Sequence, residues 1–355
     1  MAITRFKEKM ENVKDRFDGI DVLKVFSCLA VVAAHLLYNS AFDIGCLYSK
    51  IFLLRKAFFV FFIISAFGLC CGYYDKILNK TFDLNIFYSR RFGKIFPFFF
   101  FLLLADIVVS PSVRSLMEAF VEASLVFGFL PNMKLSVVGV GWFIGVIFVF
   151  YMVFPFFVFL IQNRMRAWFA FLVALLVSII CRVHFFSNEY VLNTFAERSN
   201  FLYCAPFFLI GGILFLYRDF FLKMQEYKWF QVLFFCVCLI ASILYFVVPF
   251  DSFDITYKSM ALATLWVAYA ISRKHSVLNC KIVAYLSSIS FEIYLSHMFI
   301  YRIIERTVGL KIFGNGWASY IFIFVLDILG CIVFIELWSR TFNCIRKVLT
   351  AWKKN

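Results

Sequence analysis

Ten apolar runs, each about as long as a bilayer is thick, follow one another along this chain of 355 residues. They fall at about 20–38, 51–72, 92–110, 139–161, 167–183, 201–217, 229–249, 257–272, 283–304 and 317–339. A hydrocarbon core of about 30 Å takes roughly 20 helical residues to cross. Backbone inside it must satisfy its own hydrogen bonds, which a helix does. The runs therefore predict an all-α, polytopic membrane protein of about ten transmembrane helices. A charged amphipathic leader is expected over 1–19, a membrane domain over 20–339 and a basic tail over 340–355. With 64% hydrophobic and only 16% charged residues, the chain lies far from the balance of a soluble domain.

A net charge of +14 raises the possibility of a nucleic-acid partner, but the placement of the charges argues against it. They gather in alternate connections: the leader (Arg5, Lys7, Lys9, Lys14, Arg16), 73–94 (Lys76, Lys80, Arg90, Arg91, Lys94), and the tail (Arg340, Arg346, Lys347, Lys353, Lys354). The intervening connections carry isolated cations such as Lys50, Arg114, Lys134, Arg182 and Arg198. The positive-inside rule then puts both termini in the cytoplasm, in agreement with an even span count. The stretch 114–130 is nearly apolar enough to cross. Glu118 and Glu122 share a helix face there, so it is expected to lie at the outer surface as an amphipathic helix. The segment 185–200 is expected as a polar external loop. The leader is too long in its charged part to be expected as a cleaved signal. Most of the 11 cysteines sit inside apolar runs and no Cys-x-x-Cys occurs, so they are expected as packing residues, and no metal is expected. No internal repeat stands out, which argues against an inverted-repeat transporter.

The first run, Ile-Asp-Val-Leu-Lys-Val-Phe-Ser-Cys-Leu-Ala-Val-Val-Ala-Ala-His-Leu-Leu, holds Asp21, Lys24 and His35. Ionisable groups at such depth usually face a bundle interior or a wet cavity. Eleven residues return a helix to within roughly 20° of the same face, so Asp21, Lys24, Cys28, Val31 and His35 form one stripe about 21 Å long. His35 is either a packing histidine or a general base acting on a hydroxyl, since imidazole titrates near neutral pH. Arg90, Arg91 and Lys94, with Lys24 on the same side, either anchor helix ends or clamp the phosphates of a donor. Trp142, Tyr151 and Pro155 read alone as a membrane helix with an interfacial Trp. Ser290, Tyr294 and His297 follow i, i+4, i+7 spacing and share a face.

Taken in order, these elements resemble the acyltransferase-3 family of integral membrane O-acyltransferases. The resemblance is carried by Gly19-Ile20-Asp21, Lys24 and His35. It continues through Phe61-Phe62-Ile63-Ile64-Ser65-Ala66 and through Arg90, Arg91, Lys94, Ile95 and Pro97. The last two elements are Trp142, Phe143, Tyr151 and Pro155, then Ser290, Ile293, Tyr294, Leu295 and His297. Ala66 stands for a family glycine and Lys94 for an arginine. Ile147 and Phe148 stand where many members have acidic residues, which places the chain nearer the branch that acetylates cell-surface sugars. The resemblance implies transfer of an acyl group, usually acetyl, from cytoplasmic acyl-CoA as co-substrate, with no tightly bound cofactor. The acceptor implied is a sugar hydroxyl of an envelope polysaccharide or its lipid-linked precursor, at the cell inner membrane. His35 and Asp21 are the expected catalytic residues, with His35 as base. Lys24, Arg90, Arg91 and Lys94 are expected at the donor, and Trp142, Tyr151, Ser290, Tyr294 and His297 at the acceptor or behind it. A transporter or flippase of a lipid-linked sugar, or a catalytically silent relative, is the alternative, since a polar stripe would serve a substrate path equally well.

Overall fold

A computed structural model of the chain describes residues 16–129, 137–185, 197–248, 254–273, 275, 278 and 280–352. The leader up to Asp15, Lys134, most of the expected external loop, Lys274, Lys353 and Lys354 lie outside the described residues. Every regular element among the described residues is helical. The first run forms α1 (Asp18–Ser40). A rod follows, made of α2 (Leu47–Leu53), a 3-10 turn (Leu54–Ala57) and α3 (Phe58–Leu78). Then come α4 (Leu84–Val109), α5 (Val113–Ala123), α6 (Trp142–Leu160), α7 (Arg164–Ile180), α8 (Phe201–Leu216) and α9 (Arg218–Met224). The series closes with α10 (Lys228–Val247), α11 (Asp254–Ile271), α12 (Lys281–Thr307) and α13 (Trp317–Trp352).

Each of the ten apolar runs is thus helical, but they are not equal as membrane spans. Among the described residues eight helices are long and apolar enough to cross, and nine if α8 and α9, bent by 59°, count as one broken span. α11 is not among them, because its first turns hold Asp254, Thr256, Lys258 and Ser259. Polar side chains mark several helix starts. Asp83 accepts the Ile86 N–H at 2.8 Å to open α4, and Asn163 accepts the Arg166 N–H at 2.9 Å to open α7.

The centre is built by rings from α3, α6 and α8. Phe59 stacks on Phe207 at 3.9 Å between centroids, and Phe150 on Phe208 at 4.4 Å. α3 and α8 approach closely at Gly211, where an added Cβ would strike the Ile63 carbonyl. Small residues at such crossings let membrane helices pack without a hydrophobic driving force. Gly211→Val is therefore expected to destabilise the bundle by about 1–3 kcal/mol. A lowered thermal midpoint in detergent is the readout. Large apolar side chains of α7 and α10, among them Phe169, Leu172, Val232 and Ile243, are exposed and form surface suited to lipid.

α5 is amphipathic as expected, but with its faces in the opposite sense to a soluble surface helix. Val113, Leu116, Met117 and Phe120 are exposed, while Glu122 is fully buried. This is how a helix lies in a membrane interface, apolar side to the lipid. The Glu122 carboxylate accepts the Val137 N–H at 3.0 Å and the Val138 N–H at 3.2 Å, tying α5 to the approach to α6. Burial pushes this carboxyl up to about 8. An acid whose pKa is higher folded than unfolded favours the fold below its unfolded pKa. That advantage is lost as pH rises through the folded value. Thermal stability in detergent is accordingly expected to fall between about pH 5 and pH 8, and Glu122→Gln to flatten that dependence.

Candidate functional site

The polar stripe of α1 meets α12 along its whole length, the two helices running parallel. At the start of α1, Ser287 Oγ donates to Asp21 Oδ1 at 2.6 Å. Midway, Cys28 Sγ donates to the Ser290 carbonyl at 3.3 Å. At the far end, His35 Nδ1 lies 3.0 Å from His297 Nε2. Seven residues return a 3.6-residue helix to within about 20° of the same side, so the contacts at Asp21, Cys28 and His35 fall on one side of α1.

The first end holds a cavity of about 280 Å³ between α1, α3, α4, α6 and α12. Arg16, Lys24 and Lys94 bring positive charge to it, and Ser65, Tyr151, Ser290 and Tyr294 bring hydroxyls. Ile147 lines it too, so the family's acidic position is an apolar wall here. Asp21 is the carboxylate of the lining and is already engaged. Arg16 Nε donates to its Oδ2 at 2.5 Å, and Lys24 Nζ is 3.6 Å from its Oδ1. The Tyr294 hydroxyl is buried with no hydrogen-bond partner among the described residues.

The far end holds the histidine pair. His297 is fully buried, and its Nδ1 is 2.7 Å from the Tyr294 carbonyl oxygen. A carbonyl only accepts, so His297 Nδ1 carries the proton and, in the neutral ring, Nε2 accepts. His35 Nδ1–H must then be the donor of the 3.0 Å bond, which leaves His35 Nε2 with a free lone pair. Tyr294 joins the two ends: its side chain lines the cavity while its carbonyl sets the tautomer of the pair. The charges of Arg55 and Arg198 reach His35, and Arg198 also sits over the Trp142 ring at 5.2 Å.

The structure thus sorts the expected residues into two groups. Lys24, Lys94, Tyr151, Ser290 and Tyr294 share the cavity, while His35, His297 and Trp142 belong to the far end. Asp21, expected as catalytic together with His35, stands fourteen residues from it, about 21 Å along α1, within a cluster of cations. Arg91 does not line the cavity. Its guanidinium donates to the Tyr73 hydroxyl at 3.2 Å and lies 5.8 Å from the ring centre of Tyr151, which does line it. Arg90 is exposed beside Tyr73. Arg16, expected only as part of the leader, enters the cavity; Arg198 was expected only as a connection charge, and Arg55, inside the second apolar run, was not singled out. Arg16 is placed by Asp21, five residues on, whereas Arg198 gains its place from Trp142, far along the chain.

A family model described as an acyltransferase domain matches residues 17–336, so it takes in the histidine pair, all of the cavity lining but Arg16, and the helices from the start of α1 into α13. Neither a search of curated proteins nor one of solved structures finds a match. The match covers nearly the whole chain, and the chain therefore belongs to the acyltransferase-3 family of membrane acyltransferases.

Proposed function

We propose that this protein is an acyl-CoA-dependent O-acyltransferase of the cell inner membrane. It moves an acyl group, acetyl in the simplest case, to a sugar hydroxyl of an envelope polysaccharide or its lipid-linked precursor. The observation that carries this reading is the coupled pair of ends: a cationic cavity beneath Tyr294 and a histidine with a free Nε2 above it. With both termini in the cytoplasm, the cavity faces the compartment that supplies acyl-CoA, and His35 faces outward.

Arg16, Lys24 and Lys94 would hold the donor's phosphates as charge-assisted partners. The thioester arm would rise towards Tyr294, whose unpartnered hydroxyl is available to donate to the thioester carbonyl as charge builds on its oxygen. His35 Nε2 takes the proton of the acceptor hydroxyl as its oxygen attacks the thioester carbon. The C–O ester bond forms, the C–S bond breaks, and the leaving thiolate takes up a proton in turn. His297 Nε2 keeps its bond from His35 Nδ1–H throughout, holding the ring in place as it becomes an imidazolium. Asp21 acts here as a positioning residue that sets Arg16 and Lys24 at the cavity.

The test is transfer of label from acyl-CoA to a glycan acceptor by the purified protein in liposomes. Movement of a lipid-linked sugar without any acyl donor would instead support the transporter alternative. Lys94→Ala is expected to raise the donor KM about tenfold with kcat little changed, because a phosphate contact present in ground and transition states alike is lost. Arg91→Ala should raise it less, since Arg91 reaches the cavity only through Tyr151.

A further inference from the structure

A second, larger cavity of about 510 Å³ runs as a groove between α1, the 3-10 turn, α10 and α11. Its walls are apolar almost throughout, and no carboxylate is among the described residues that line it. It is open on one flank, where Phe26 is 64% exposed and Leu239 41% exposed. Along α11 it extends from Ser259 to Ala270, eleven residues or about 16 Å, which is roughly half the hydrocarbon core. Its two ends differ. Ala270 and Arg273 close one end beside Gly19, whose N–H donates to the Arg273 carbonyl at 3.0 Å. At the other end Lys56 lines the mouth, near Tyr245 and Ser259, and Lys50 Nζ donates to the carbonyl of Phe246 on the rim.

Arg55 connects this mouth to the histidine pair. It precedes Lys56 in the 3-10 turn that packs on α1, and its charge acts on both Tyr245 of the groove and His35. Its Nε is buried with no hydrogen-bond partner among the described residues. A trough of apolar side chains open on one flank, ending at Lys56 with Arg55 next to it in the 3-10 turn, fits a long hydrocarbon chain with an anionic head. Resting on the acyl-transfer reading above, we propose that the acceptor sugar arrives on a single-chain polyprenyl phosphate. In this proposal the chain lies in the groove and the phosphate at Arg55 and Lys56, which presents the sugar to His35. A two-chain phospholipid would leave its second chain outside the groove.

Native mass spectrometry of the full-length protein, titrated with a long-chain polyprenyl phosphate or with a phosphatidylglycerol, tests this without any acyl donor. The prenyl phosphate should bind at least about tenfold more tightly than the phospholipid. Leu239→Trp, which fills the groove from its open flank, and Lys56→Gln should each weaken it about tenfold. Leu239→Ala, a control for folding at that position, and Arg273→Gln should bind as the wild type does. Equal affinity for the phospholipid would overturn the proposal, as would unaltered binding in Leu239→Trp, or weakening by Arg273→Gln in place of Lys56→Gln. A protein that binds prenyl phosphate as described but transfers no acyl label defeats the acyl-transfer reading and leaves the groove assignment standing. One that acylates a soluble glycan yet binds no prenyl phosphate does the reverse.

Discussion

Replacing His35 by alanine is expected to lower acyl transfer by about 10²–10⁴-fold, the range a general base contributes, with the thermal midpoint little changed. In the proposed reading the lone pair on Nε2 accepts the hydroxyl proton, and among the described residues of α1 no other imidazole or carboxylate lies at that end. The measurement is transfer of label from acyl-CoA in liposomes at saturating donor. His297→Ala should cost less, because His35 remains but its ring is no longer held and its tautomer no longer set. His297→Gln should recover part of the loss, since an amide can accept from His35 Nδ1–H and donate to the Tyr294 carbonyl. Wild-type rates in a folded His35→Ala protein would remove the base from the mechanism. Failure of Gln to outperform Ala at 297 would remove the tautomer argument alone.

Asp21→Ala is expected to have the largest effect on stability. It takes one buried carboxylate from three partners at once, Arg16, Lys24 and the Ser287 hydroxyl, and leaves two like charges facing one another. Breaking a buried pair from one side costs roughly 3–5 kcal/mol. Both cations here are partly open to solvent, which puts the expected loss at the lower end, about 3 kcal/mol. Asp21→Asn should lose less, because it can still accept from Ser287. Thermal unfolding in detergent reads both, and the donor KM should rise in each as Arg16 and Lys24 shift. If Asp21→Ala instead melts like the wild type while losing all transfer, Asp21 takes part in the chemistry and the positioning role assigned to it is wrong.

The far end also separates two residues that look alike in sequence. His35 and His297 each sit within an apolar run. The Tyr294 carbonyl distinguishes them: it occupies Nδ1 of His297, and the bond from His35 occupies Nε2, so both nitrogens of His297 are committed. Only His35 keeps a nitrogen that faces no other ring.

The sequence by itself determined the helices and the composition of the polar stripe. Hydropathy over 20 residues and a turn of 3.6 residues are local properties, so the ten runs and the common face of Asp21, Lys24 and His35 were legible. Partner choice was not. In lipid every helix surface is about equally apolar, so no hydrophobic gradient tells α1 to pack on α12 and not on a neighbour. Close packing and individual polar contacts settle that, between residues as far apart as His35 and His297, 262 positions from each other. The same cause hid the inward turn of Glu122 on α5 and the seating of Arg198 over Trp142. In each case a charge needed a partner that only the assembled bundle supplies.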